Sequence, residues 1–165
     1  MKKILYIITF FLSLGVSGQE TLEQILSKYN QGSIPYISSE QLLKKIQNSS
    51  VLILDTREKE EYNVSKIKGA VFVGYNQFSI KQFSNFMTNK NQHIVVYCSL
   101  GIRSEKIGEK LKKAGYANVK NLYGGIFEWK NQGNPVLDAQ ENETDNVHAY
   151  SPTWSKWLTK GNKVY

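Results

Sequence analysis

Apolar positions along the chain follow two rhythms. Short continuous β-prone runs alternate with stretches in which apolar residues return every three or four positions. Val51-Leu52-Ile53-Leu54 and Ile94-Val95-Val96-Tyr97 are the strongest runs and suit strands buried on both faces. Weaker strands are predicted at Ile34–Ile37, Gly69–Val73 and Val119–Tyr123. Between them, helical spacing marks Thr21–Tyr29, a helix entered at Ser38 with Gln41 three residues on, a turn over Glu58–Tyr62, Asn76–Thr88, Arg103–Ala114, and a last helix running through Trp129. Strands alternating with helices predict an α/β domain with a mostly parallel central sheet flanked by helices on both faces. In such sheets ligands gather at the carboxyl ends of strands. The two strongest runs end at Asp55 and Cys98.

The amino terminus departs from this pattern. Met1-Lys2-Lys3 is basic, Ile4–Val16 is almost wholly apolar, and Val16-Ser17-Gly18 offers small residues for cleavage. The run is shorter than the ~20 residues a membrane span requires. It reads as a secretory signal over residues 1–18, so the mature protein is expected to be exported, periplasmic or secreted, without stable membrane insertion. Losing Lys2 and Lys3 lowers the formal charge from +7 to +5. The lysines are scattered, with no basic run of five, so no nucleic-acid partner is expected.

Composition excludes full disorder and a multi-span membrane protein, with 41% hydrophobic and 21% charged residues. A single cysteine, Cys98, rules out an internal disulfide or a cysteine-rich zinc site, and His93 and His148 are too far apart in sequence to suggest a metal cluster. No metal or cofactor is expected.

A lone thiol in an exported protein is buried, paired between chains, or reactive. Cys98 opens the loop Cys98-Ser99-Leu100-Gly101-Ile102-Arg103-Ser104, between a buried strand and a helix. A helix amino terminus and the Arg103 cation favour thiolate over thiol. Gly101 lets the loop curl so that amides converge on the sulfur as an anion-binding nest. Such a group suits a nucleophile that attacks and then carries an anionic group.

Three stretches together resemble the rhodanese family: Leu54-Asp55-Thr56-Arg57 with Glu60-Glu61-Tyr62 and Ile67-Lys68-Gly69-Ala70; the Cys98–Ser104 loop; and Leu122-Tyr123-Gly124-Gly125-Ile126-Phe127-Glu128-Trp129. The resemblance covers residues 34–137. It implies a sulfurtransferase in which Cys98 takes sulfane sulfur from a small anionic donor such as thiosulfate and passes it to a thiol or cyanide acceptor. Ser99, Leu100, Gly101, Ile102 and Arg103 would bind the substrate, their backbone amides steadying the persulfide. Arg103 would also order the loop and attract the donor. Asp55 and Arg57 would brace the site, or else serve only as cap and helical-turn pair, for example Arg57 with Glu61. Lys66 stands in a segment where the family often has His and receives no catalytic part.

Two other readings stay open. Cys98 could form mixed disulfides in a non-catalytic redox or persulfide-binding module. A phosphatase-like activity is also conceivable, but related phosphatases have five residues between nucleophile and Arg, whereas Cys98 and Arg103 enclose four. Outside the rhodanese-like segment, residues 19–33 form a leader helix and 138–147 a flexible acidic linker. Residues 148–165 form an aromatic extension that packs as a flap, docks a protein partner or covers the site. His148 is expected to be structural.

Overall fold

A computed structural model describes residues 20–165 of the chain. The expected secretory signal, residues 1–18, lies outside the described residues. Among the described residues, no helix is long and apolar enough to cross a membrane.

Five parallel strands form the central sheet. They are β1 (Tyr36–Ile37), β2 (Leu52–Asp55), β3 (Ala70–Phe72), β4 (His93–Tyr97) and β5 (Asn118–Leu122), in the order β1-β5-β4-β2-β3. The helices between them are α2 (Ser39–Gln47), α3 (Lys59–Val64), α4 (Ile80–Phe86) and α5 (Ile102–Lys113), with α1 (Leu22–Tyr29) preceding the sheet and α6 (Gly125–Asn131) following β5. The expected α/β architecture is therefore the observed one.

Period-two alternation divides the core. Val95 and Tyr97 of β4 pack with Leu42 of α2 and with Ile126, Phe127 and Trp129 of α6. Ile94 and Val96 face the other way, onto Phe83 of α4 and Ile107 and Leu111 of α5. Both faces being covered explains why β2 and β4 read as unbroken apolar runs.

α4 is shorter than the pattern over Asn76–Thr88 suggests. Ser79 caps it by accepting the Gln82 amide, so the helix starts only at Ile80. Phe86, three residues after the buried Phe83 and at helical spacing from it, is exposed.

The leader helix is built into the domain. Thr21 and Gln24 close a capping box at its start, and Ile25 and Leu26 are buried. The turn after it is pinned to α5, where the Gln31 and Ser33 amides donate to the Glu105 carboxylate.

The flexible acidic linker expected over residues 138–147 is instead structured. β6 (Val136–Leu137) pairs antiparallel with β7 (Glu143–Thr144), and β8 (Asn146–His148) pairs parallel with β9 (Asn162–Val164). Asp138 accepts the amides of Gln140 and Asn142, closing the turn. The acids also find cations on the domain: Lys66 pairs with Glu141 at 2.7 Å and Lys130 with Asp145 at 2.7 Å. Two of the four acids thus meet cations from far away in the sequence, although all four keep contact with solvent.

Beyond β8 the chain forms α7 (Pro152–Ser155), with Pro152 in its first turn. Asn131 at the end of α6 clamps this extension: its amide donates to the Trp157 carbonyl, and its side-chain oxygen accepts from the Thr159 and Lys160 amides. Val147, Ala149 and Leu158 are fully buried, so the extension packs as part of the molecule.

Candidate active site

β4 delivers Cys98 to the carboxyl edge of the sheet, and α5 begins four residues later. Gly101 caps that helix at φ +106°, a left-handed conformation that other residues adopt only with strain. This turns the Gly101 amide back onto Cys98 Sγ at 3.1 Å. The carbonyl of Gly101 is held in turn by Asn121 Nδ2 at 2.7 Å and by Asn30 Nδ2 of the leader segment at 2.9 Å.

A second close approach fixes the start of the loop. The Ile126 and Phe127 amides at the head of α6 donate to the carbonyls of Cys98 and Ser99. Gly125, at φ +57°, makes this contact sterically feasible, because a Cβ there would run into both carbonyl oxygens.

Ser104 lies 3.6 Å from the sulfur through its hydroxyl and 2.7 Å from Asn121 Oδ1. Burial alone would push the Cys98 thiol up. The Arg103 charge, the Ser104 hydroxyl and the Ser104 and Gly101 amides outweigh that, leaving the thiol below its ordinary value. The amino terminus of α5 acts in the same direction.

Cys98 is only 2% exposed, yet it lines a pocket of about 110 Å³ together with Ser99, Leu100, Ile102, Arg103, Tyr150 and Trp154. Gly101, expected among the binding residues, contributes its amide to the sulfur rather than a pocket wall.

Arg103 does not extend freely toward the pocket. Its Nη1 and Nη2 each lie 2.7 Å from a different oxygen of Glu61, and Nη2 also donates to Ser99 Oγ at 2.9 Å. Ser99 Oγ donates to the same carboxylate at 2.9 Å. Burial would raise the Glu61 carboxyl, but Arg103, with Arg57 and the Glu58 amide, holds it below the usual carboxylate range. The pairing of Arg57 with Glu61 considered from sequence is replaced by this one, because Asp55 already occupies Arg57.

Asp55 and Arg57 are fully buried and outside the pocket wall. Arg57 Nε and Nη2 grip Asp55, at 3.0 and 2.6 Å to its two oxygens, and Nη2 also donates to the Ser65 carbonyl at 2.6 Å. Tyr97, the residue before Cys98, donates its hydroxyl to Asp55 and accepts the Ile67 amide. The pair thus locks the ends of β2 and β4 together beneath the loop.

Ser104, Asn121, Tyr150 and Trp154 receive no site role from sequence, and Glu61 only that of a helical-turn partner for Arg57. Ser104 was at least within the quoted loop, and the aromatic cluster after residue 147 was a visible signal. Glu61 lies in a quoted stretch too, but nothing local pairs it with Arg103, 42 residues away. His148 is structural, as expected: its Nδ1 accepts the Tyr150 amide at 3.1 Å.

The family model for the Rhodanese-like domain matches residues 38–132. The chain belongs to this family. A tRNA uridine(34) hydroxylase of Aster yellows witches'-broom phytoplasma is 35% identical over 99 residues, 57% of this chain and 32% of that protein. A tRNA uridine(34) hydroxylase of Legionella pneumophila strain Corby is 30% identical over 111 residues, 66% of this chain and 43% of that protein. The chain therefore spans a third to less than half of the length of these relatives. Among solved structures, a rhodanese-like domain protein from Staphylococcus aureus is 30% identical, with a TM-score of 0.51, covering 58% of this chain and 91% of that one. The rhodanese-like match ends before residue 133, so Tyr150 and Trp154 reach the pocket from outside it.

Proposed function

We propose that this rhodanese-like protein is a sulfurtransferase that carries sulfane sulfur on Cys98. The observation that carries the reading is the sulfur itself, at the carboxyl end of β4, acidified, touched by the Gly101 amide and opening onto a small pocket.

The Cys98 thiolate attacks the outer sulfur of a small anionic sulfane donor, of which thiosulfate is the simplest. The donor S–S bond breaks and its electron pair leaves with sulfite. A new Sγ–S bond makes Cys98 a persulfide, with its charge on the outer sulfur. Cyanide or a thiolate then attacks that sulfur and the Sγ–S bond breaks, giving thiocyanate or a new persulfide and the original thiolate. Neither half needs an external oxidant or reductant. Leu100, Gly101 and Ile102 shape the cradle, while Ser99 and Arg103 hold it through Glu61. Asp55 and Arg57 support it from below.

Export to the periplasm or beyond belongs to the same proposal, supported by the basic and apolar start of the chain. Amino-terminal sequencing of protein recovered from outside the cytoplasm tests it; an intact Met1 on soluble cytoplasmic protein refutes it.

Intact-mass measurement tests the chemistry. Treatment with a sulfane donor should add about 32 Da, reversible by cyanide, as expected of a persulfide. Cys98→Ser should gain nothing. An adduct with the whole donor, or a covalent dimer, would instead support the mixed-disulfide module.

A further inference from the structure

We propose that Tyr150 and Trp154 set the donor specificity of the Cys98 pocket, selecting a monoanionic sulfane donor whose leaving group carries an aryl ring over thiosulfate. This rests on the reading of Cys98 as a sulfur carrier.

Charge is the first ground. Arg103 is the one cation among the pocket-lining residues, and Glu61 neutralises it through two 2.7 Å contacts. The Ser99 hydroxyl is bound to the same carboxylate. A dianion such as thiosulfate would enter a pocket with no uncompensated positive side chain on its wall. A donor with one negative charge can be met by the loop amides and the start of α5.

The second ground is the wall itself. Leu100, Ile102, Tyr150 and Trp154 make the pocket mainly apolar and, on one side, aromatic. Its volume of about 110 Å³ is below, but near, the roughly 150 Å³ cavity known to hold benzene, and the pocket is open to solvent. A ring would lie against Tyr150 and Trp154 with one edge in solvent rather than enclosed; a nucleotide would not fit.

The third ground is that the wall is held in place. Tyr150 has φ +64°, an outlier for an aromatic residue. Its amide is fixed by His148 Nδ1, and the Ala149 amide on one side and the Ser151 amide on the other donate to the Val164 and Ala149 carbonyls. Its ring stacks over Arg103, whose guanidinium carbon lies 4.6 Å from the ring centre. Trp154 meets Tyr29 of α1 edge to face at 5.5 Å. A bulky, half-exposed side chain kept in an unfavourable backbone state on the wall of the sulfur's pocket marks a positioned element.

In the step proposed, the Cys98 thiolate attacks the terminal sulfur of an arylthiosulfonate. The donor S–S bond breaks, its electron pair leaves with the arylsulfinate, and the Cys98 persulfide forms with charge conserved.

The test compares benzenethiosulfonate, methanethiosulfonate and thiosulfate as donors to the purified protein, following the rate of Cys98 mass gain. The first two share charge and leaving-group type and differ in the ring. Each rate is divided by that for N-acetylcysteine, removing intrinsic reactivity. The corrected preference for the phenyl over the methyl donor should be about tenfold, with thiosulfate slower than both. Tyr150→Gly, which suits the positive φ, and Trp154→Leu, which keeps an apolar side chain, should each reduce that preference to threefold or less. Loading by all three donors without preference, or a preference unchanged in both variants, overturns this inference and leaves the carrier reading standing. No mass gain from any donor overturns both.

Discussion

Arg103 and Glu61, 42 residues apart in sequence, form a two-pronged ion pair at the rim of the sheet, each guanidinium nitrogen 2.7 Å from its own carboxylate oxygen. The Glu61 side chain is 3% exposed and that of Arg103 15%. The pair ties the amino terminus of α5 to α3 and so braces the Cys98 loop. It also places a cation close enough to favour the thiolate.

Arg103→Ala should cost about 3–5 kcal/mol, because it strands a buried carboxylate. It should also raise the Cys98 thiol. Replacing both partners, Glu61→Leu with Arg103→Met, should recover most of the stability but not the acidity. Urea denaturation and the pH profile of iodoacetamide alkylation separate the two effects. A double variant with an unshifted alkylation profile would deny Arg103 its electrostatic role.

Glu61 predicts an acid-sensitive fold. Its carboxyl is held below its ordinary value of about 4.5 in the folded protein. The unfolded chain therefore binds the proton first as pH falls, and stability rises with pH across that window. The contribution is complete above about 4.5 and is lost as pH drops through the lower, folded value. Glu61→Gln should lower stability near neutrality and flatten its decline between pH 5 and pH 3 relative to the native protein, as about one linked proton is removed. Urea midpoints measured across that range provide the check.

Ser104→Ala should slow Cys98 alkylation at pH 7 by about threefold: the Ser104 hydroxyl gives its proton to Asn121 Oδ1 at 2.7 Å, and Asn121 holds the Gly101 carbonyl and so keeps the Gly101 amide on the sulfur. The expected cause is a higher thiol pKa, so the rates should converge well above the ordinary thiol range. Rates that differ equally at every pH would point to altered access instead.

Gly125→Ala should destabilise the fold by more than about 2 kcal/mol, combining a left-handed backbone with a collision against the Cys98 and Ser99 carbonyls. Thermal and urea unfolding measure it. Because the same contact aligns the loop, persulfide formation in the folded fraction should also slow.

Much of this protein was legible before its coordinates. The runs ending at Asp55 and Cys98 are strands β2 and β4, and the helix after Cys98 is α5, one residue earlier at each end than its apolar spacing suggested. Such patterns are local: period two and period 3.6 are written within one element, and burial on both faces leaves a continuous apolar run. Cys98 stood out because its chemistry, its strand and its loop glycine are contiguous. By contrast, the order of residues 138–147 is not legible locally, because it comes from strand pairing and from Glu141 and Asp145 meeting Lys66 and Lys130, far away in the chain.

The sequence by itself determined the order of strands and helices up to α6, the sheet class and the position of the Cys98 sulfur at a strand end. Only the tertiary structure decided that Arg103 answers to Glu61, that Asp55, Arg57 and Tyr97 lock two strand ends, and that Tyr150 and Trp154 wall the pocket. Periodicity specifies which face of an element is buried, but not what lies against it. Which distant carboxylate meets a given guanidinium, and which rings line a thiol's pocket, follows from how the faces pack.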